Sequence, residues 1–375
     1  MTVSRGEQFY ALGGHSLLRI KETNHALPAD VAVNWGIFNL NDPRFIQNAL
    51  FGKLDYRSGS QSIAATEWLY TIEDRAIIEN QIYLTAKQKK TILKKVAWWL
   101  EEENSVYRYN LFFNNCSTII RDILHKTFGD EFKENFTKEK RKTFRKMGAL
   151  YFYQYPFALF AGMFLTSQID QPISSWEHFI MPIELPKLIS KLGRFNDKGQ
   201  MTEDKLLGPT VKILDSSAHS FLSYDLYSLL ISLSLMVFAA LGFFIRRKGT
   251  SFLKLRILGF YLSLLGLMST VFSLAMIFIW CFTEYDYMFH NAHLWFFWPF
   301  DFAFFLIGMK AFLFNKFVNK ERKLYSFAQK LILAHIVCLF LQLALWSFGL
   351  IQQDISYFYL YLLGPYTLAA LTIKN

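Results

Sequence analysis

Tyr109-Asn110-Leu111-Phe112-Phe113-Asn114-Asn115-Cys116-Ser117-Thr118-Ile119-Ile120-Arg121-Asp122-Ile123-Leu124-His125 is the stretch that decides how this chain is read. It begins as a short apolar strand, continues with two asparagines able to turn or cap the backbone, and becomes a helix near Cys116. Ile119, Ile120, Ile123 and Leu124 recur at i, i+1, i+4 and i+5, which makes one buried helical face. Cys116 then stands at a helix N-terminus, where unpaired N–H groups and the helix dipole favour an anion. A thiolate is such an anion, and cysteine pKa values fall at helix N-termini. The bland reading of the same position is a buried, inert cysteine.

Toward the N-terminus, Gly13-Gly14-His15-Ser16-Leu17-Leu18-Arg19-Ile20 and Val31-Ala32-Val33-Asn34-Trp35-Gly36-Ile37-Phe38 are β-rich and roughly alternating, with a polar loop between them. They read as an antiparallel pair. If pairing centres on that loop, His15 lies opposite Gly36, and Asn34 is a diagonal neighbour on the same face. A glycine facing a histidine leaves room for another group to approach. Arg44 to Leu50 is a short helix candidate, and Gln61 to Tyr70 looks extended. Thr85-Ala86-Lys87-Gln88 is a capping box for a helix whose apolar face is Ile92, Leu93, Val96, Trp99 and Leu100. Beyond the cysteine helix, Lys126 to Lys146 is strongly basic: a solvated face, or a segment drawn to anionic lipid head groups. Leu150 to Leu165 is apolar but broken by Gln154 and Pro156. It reads as a helix buried in the domain or lying on a membrane surface rather than a span.

The 375 residues carry a net charge of +10, unevenly spread. Residues 1–222 hold 28 basic and 24 acidic residues; residues 223–375 hold only 12 and 6. The second part is mostly apolar and aromatic, with five stretches of spanning length: Ser223–Ile245, Leu255–Phe282, Leu294–Phe314, Phe327–Leu350 and Ile355–Ile373. Arg246, Arg247, Lys248, Lys254 and Arg256 follow the first, and Lys316, Lys320, Arg322, Lys323 and Lys330 follow the third. The loops after the second and fourth carry Glu284, Asp286 and Asp354 and no basic residue. The positive-inside rule then expects those basic loops and the C-terminus in the cytoplasm, with residues 1–222 outside. This explains the positive charge better than nucleic acid, for which no binding motif appears. An outside domain needs export, yet Met1-Thr2-Val3-Ser4-Arg5 opens no signal-peptide apolar region. Either the chain starts downstream of a signal peptide, which the abrupt start favours, or the first span inserts with its N-terminus out. Trp295, Trp298, Glu284, Asp286, His290 and His293 gather at the outer end of the third span. They read as an aromatic belt or as a wall of a lipid or substrate site. Asp301 lies just inside that span, where a carboxylate is costly unless it serves a purpose or stays wet.

The expected organisation is therefore α+β followed by all-α. Residues 1–150 form a Cys/His domain, 151–222 a helical, membrane-proximal extension, and 223–375 a bundle of about five transmembrane helices. The cysteines are Cys116, Cys281 and Cys338. The first is alone in the water-soluble part, without zinc-site spacing, and no cofactor is expected. His15 on a strand and Cys116 at a helix start are the parts of a thiol–imidazole pair, with Asn34 orienting the imidazole and Asn114 or Asn115 as fallback. Backbone N–H groups of Cys116 and Ser117 are placed to stabilise an oxyanion. His25, His125 and His178 read as surface or packing residues. Papain-like folds set the cysteine on a helix and the histidine on a sheet; histidine first corresponds to the circularly permuted form.

Gly14-His15-Ser16-Leu17-Leu18-Arg19-Ile20, Asn34-Trp35-Gly36-Ile37-Phe38, Gly52-Lys53-Leu54-Asp55-Tyr56, Arg75, Tyr83-Leu84-Thr85, Tyr109-Asn110 and Asn115-Cys116-Ser117-Thr118 together resemble the Lnb N-terminal periplasmic domain, as do Asp170-Gln171-Pro172, Glu177, Phe179 and Pro182. The resemblance is most specific over residues 13–122; the membrane half matches in architecture only. It implies a bacterial inner-membrane lipoprotein N-acyltransferase working through a thioester, with Cys116 as nucleophile and His15 as base. Asn115, Ser117, Arg75 and Tyr56 would support the site. The implied partners are a phospholipid acyl donor, a lipoprotein acceptor and the membrane. Two other classes fit the same residues: a membrane-anchored thiol peptidase or amidase acting on cell-wall peptides, and a non-catalytic receptor in which Cys116 is structural.

Overall fold

The computed structural model describes residues 1–22, 29–138, 140–147, 165–167, 170, 172–217, 252–314 and 322–353. The chain divides into two compact units, Met1–Gln154 with Pro172–Phe221, and Tyr155–Gln171 with Leu222–Asn375.

The first unit is α+β. In chain order it contains β1 (Thr2–Val3), β2 (His15–Glu22), β3 (Ala29–Ile37), α1 (Phe45–Phe51), β4 (Asp55–Ser62), α2 (Ile63–Ile72), β5 (Ile77–Ile82), α3 (Ala86–Leu100), α4 (Glu102–Ser105) and β6 (Val106–Arg108). There follow α5 (Cys116–Phe128), α6 (Asp130–Thr137), β7 (Lys140–Thr143), β8 (Pro172–Ser174), α7 (Glu184–Ile189), β9 (Gly193–Phe195), β10 (Met201–Lys205) and β11 (Leu207–Leu214). Seven strands form one antiparallel sheet in the order β11-β5-β1-β2-β3-β4-β6. Leu17 pairs with Asn34, so alternation sends Leu17 and Asn34 to one face and Val33 and Trp35 to the other. Val33 and Trp35 pack in one core with Ile119, Ile120, Ile123 and Leu124 of α5 and Ile92 and Val96 of α3. Leu17 joins Val3, Ile77 and Tyr70 of α2 in a second core. The cysteine helix therefore lies on the Trp35 side of the sheet.

Local chemistry explains the element ends. Thr85 and Gln88 make both bonds of the capping box that starts α3. Two expectations change. Gln61 to Tyr70 is not extended: β4 stops at Ser62, whose side chain accepts from Ala65 N–H and starts α2. Nor does a strand run through Tyr109 to Phe113. There Asn110 Oδ1 accepts from the N–H groups of Phe112 and Phe113, and Asn110 and Asn114 close a backbone bridge. An asparagine bonding its own backbone two residues on makes a turn, and it overrides the apolar run. Residues 172–217, part of the 151–222 stretch expected as a helical extension, hold more strand than helix. They finish the first unit: β11 pairs with β5, and Phe179, Leu188, Leu192, Phe195 and Leu206 enter the α5 core.

The second unit is helical among the described residues: α8 (Phe252–Phe282), α9 (Phe302–Phe314) and α10 (Arg322–Ser347), with 3-10 turns between α8 and α9. Arg256–Phe282 and Ser326–Ser347 are long and apolar enough to cross a membrane. A pair bent by 49°, Asp286–Trp295 with Pro299–Phe314, makes a third if counted as one span. Of the five expected spans, the first and last lie outside the described residues. The third is not one straight helix. Pro299 opens a 3-10 turn, and Asp301 Oδ2 accepts from Trp298 N–H, which turns the chain before α9 begins. The α8–α9 contact is backbone on backbone: a Cβ at Gly266 would lie 2.4 Å from Phe305 N, and one at Gly308 2.4 Å from Ser263 N. Small residues at such contacts are what allow helices to approach closely in lipid. Asp301 is not wet. It is fully buried, accepts from His335 Nε2 at 2.7 Å, and is bonded to Ser269 Oγ.

Candidate active site

His15 is the first residue of β2 and Cys116 the first of α5, and the two meet where the strand starts and the helix begins. The His15 imidazole and the Ser16 backbone N–H both lie close enough to the Cys116 thiol to favour its thiolate form. One residue further along each element, Ser16 Oγ and Ser117 Oγ are 2.9 Å apart and buried, which pins the strand to the helix. On the other side of the ring, His15 Nε2 donates to Asn34 Oδ1 at 2.7 Å. That bond fixes the tautomer and leaves Nδ1 for the thiol. Cys116, His15 and Asn34 thus form one constellation, with Asn34 in the diagonal position that strand alternation requires. Gly36 makes room for it: its φ is +146°, and a Cβ there would come within 3.0 Å of His15 Cε1.

Asn115 caps α5. Its Oδ1 accepts from Ser117 N–H at 2.9 Å and Thr118 N–H at 3.0 Å, and its Nδ2 donates to Leu111 O and Ile180 O. Ser117 N–H, expected in the oxyanion hole, is therefore already spent on the cap. Cys116 N–H, at the first helical position, has no acceptor among the described residues. Asn114, a fallback for the third residue, turns away and donates to Arg108 O at 2.8 Å. Arg75 is buried, bonded to Ser4 O and Glu73 and set over the Tyr70 ring, with Nη2 lacking a hydrogen-bond partner among the described residues. Its charge opposes protonation of His15, so it acts on the pair through the field. Tyr56 stacks on Tyr109 at 4.2 Å and on Phe38 at 4.9 Å.

Sequence reasoning missed Tyr107. Its hydroxyl is buried without a hydrogen-bond partner among the described residues. Burial, first, and then the nearby Cys116 raise its pKa well above the ordinary phenol range. The available signal was β6 itself, which pairs with β4 and carries Tyr107 into the α5 core. Of the other histidines, His178 is buried, His125 reaches Asp130 at 3.2 Å, and His25 lies outside the described residues.

The electrostatics follow from this packing. Burial by itself would push the Cys116 thiol up and the His15 imidazole down. Each is outweighed by the other. The imidazolium charge and hydrogen bond, with the Ser16 N–H, hold the thiol below its ordinary value, and the thiolate with Asn34 holds the imidazole above its own. Such an arrangement can present a thiolate beside a proton carrier, the requirement for nucleophilic attack on a carbonyl. Among the described residues, no group of three or more His, Cys, Asp or Glu is arranged to hold a metal ion.

Residues 1–146 match the family described as the Lnb N-terminal periplasmic domain. No curated protein and no solved structure matches the chain. Cys116, His15 and Asn34 all lie within the stretch that is similar to the Lnb N-terminal periplasmic domain.

Proposed function

We propose that this protein is a lipoprotein N-acyltransferase of the bacterial inner membrane, with its cysteine domain in the periplasm and its C-terminus in the cytoplasm. The observation that carries the reading is the Cys116–His15–Asn34 constellation within a stretch similar to the Lnb N-terminal periplasmic domain. The presence of apolar helices in the same chain supports a membrane-held substrate. Cys116 Sγ attacks an ester carbonyl of a phospholipid. Its charge passes to the carbonyl oxygen, for which Cys116 N–H, Tyr107 O–H and Arg75 Nη2 are candidate donors, buried and without another partner among the described residues. Collapse expels the lysolipid oxygen, which takes the proton from His15 Nδ1, and an S-acyl enzyme remains. The α-amine of a diacylglyceryl-cysteine lipoprotein then attacks the thioester. His15 takes the amine proton, the amide forms, and the thiolate leaves to re-form the pair. Asn34 holds the ring with Nδ1 toward sulfur throughout.

Replacing Cys116 by Ala or Ser and reading lipoprotein N-termini by mass spectrometry tests this. Loss of N-acylation is expected, and unchanged N-acylation overturns the assignment. The same pair would serve a thiol peptidase, so a second readout separates the two. A lipid-alkyne label on Cys116 that hydroxylamine removes marks the thioester, whereas a peptidase leaves none.

A further inference from the structure

Trp280, Trp295, Trp298, His290, Leu294 and Cys338 surround a cavity of about 440 Å³ that lies wholly within the second unit. Its size is that of a small-molecule site. Trp280 belongs to Arg256–Phe282 and Cys338 to Ser326–Ser347, the two described helices able to cross a membrane by length and composition, so the cavity is bounded by both. A belt of tryptophans along a helix end would face outward; these instead converge on one space.

The polar groups around the cavity are occupied with each other. Trp298 Nε1 donates to Leu294 O at 3.0 Å. Asn291, which also borders the space, uses Oδ1 on His293 N–H and Gln353 Nε2, and Nδ2 on Leu165 O. Trp298 packs 4.1 Å from the His335 ring, which is bound to Asp301 behind it. Among the described residues no Lys, Arg, Asp or Glu borders the cavity, and His290 is the single titratable ring there. His290 is held at φ 53°, a conformation that costs free energy for a residue with a side chain, with its ring edge-on to Trp280 at 4.9 Å. What remains for a ligand is three indole rings, a leucine and a thiol. A phosphate group would meet no lysine or arginine among the described residues; a flexible hydrocarbon would lie against indole, leucine and thiol.

We infer that this cavity binds an acyl chain of a membrane lipid. The inference is separate from the thioester reading, since none of these residues belongs to the first unit.

The test uses the full chain in detergent with a phospholipid carrying a photoactivatable diazirine on its acyl chain, with cross-links mapped by peptide mass spectrometry. Saturable cross-links to Trp280, Leu294, Trp295 or Cys338 are expected, suppressed by the same phospholipid without the diazirine. Cys338→Phe, which narrows the space, should reduce them, while Cys338→Ser and Cys116→Ala retain them. Leu294→Trp serves if Cys338→Phe does not fold. The inference is overturned if labels spread without saturation over outward residues such as Val271 and Phe340. Suppression by free phosphocholine, or labelling unchanged in a folded Cys338→Phe chain, overturns it as well.

Discussion

A thiolate at Cys116 costs desolvation and is held by a half-buried histidine whose own charge is favoured by the thiolate, so each charge supports the other. The ion pair is populated between the lowered thiol pKa and the raised imidazole pKa. Reactivity should therefore rise as pH climbs through the first and fall as His15 loses its proton through the second. At pH 7 an ordinary thiol, with pKa about 8.5, is a few per cent ionised. Cys116 in the folded chain should be alkylated by iodoacetamide faster than free cysteine. His15→Ala should slow it at least tenfold, since one pKa unit is worth about 1.4 kcal/mol. Asn34 is a positioning residue, and its bond is one of the groups that raise His15. Asn34→Ala should move the alkaline limb of the acylation profile to lower pH, an effect a merely structural side chain would not have. Tyr107 offers a second measurement at this scale. A buried hydroxyl without a partner costs roughly 1–3 kcal/mol, so Tyr107→Phe should raise the unfolding midpoint. If the hydroxyl steadies the oxyanion, turnover falls in the same variant, and unchanged turnover removes Tyr107 from the mechanism.

Elements carry the site by their ends. The start of α5 was legible because asparagine before a cysteine and an isoleucine stripe has one good helical reading, and the cap bonds of Asn115 agree with it. Asn34 was legible for a similar reason: strand alternation plus one assumed register placed it diagonally to His15, and the register found has Leu17 opposite Asn34. The turn at Asn110 was not, because an asparagine that bonds its own backbone looks like any polar residue beside an apolar run. Ser16 was missed too, since only the packed strand and helix bring it to Ser117, a hundred residues away. Asn115→Ala tests what the cap contributes. It removes two cap bonds and strips a donor from the buried Ile180 carbonyl, which together should cost about 2–3 kcal/mol in urea unfolding. Cys116 alkylation should slow as the first turn frays. A variant as stable and as reactive as the parent would remove Asn115 from the support of the site.

At the scale of the whole chain, the first unit is discontinuous in sequence. It leaves at Gln154, returns at Pro172 and ends at Phe221, whereas the family match stops at residue 146. Nothing in residues 172–217 announces this by periodicity. β11 carries Pro209 and exposed side chains, and its partner β5 lies more than a hundred residues earlier. Long-range pairing of that kind is the part of a fold a single sequence reveals least. Yet the returning segment is essential to the core. It supplies Phe179, Leu188, Ile189, Leu192, Phe195 and Leu206 against α5, and the carbonyl of Leu206 accepts from Tyr83 N–H. Burial of these side chains at roughly 1.5–3 kcal/mol each is comparable to the whole net stability expected of a domain. A fragment of residues 1–146 should therefore fail to fold, giving a broad or absent thermal transition and unprotected amides along α5. Residues 1–147 joined to 172–217 by a flexible linker should fold cooperatively, without detergent, and alkylate Cys116 as fast as the full chain does. A cooperative transition in the shorter fragment would mean that the domain ends where its family match ends. The strands that follow would then be a covering layer on a core already complete.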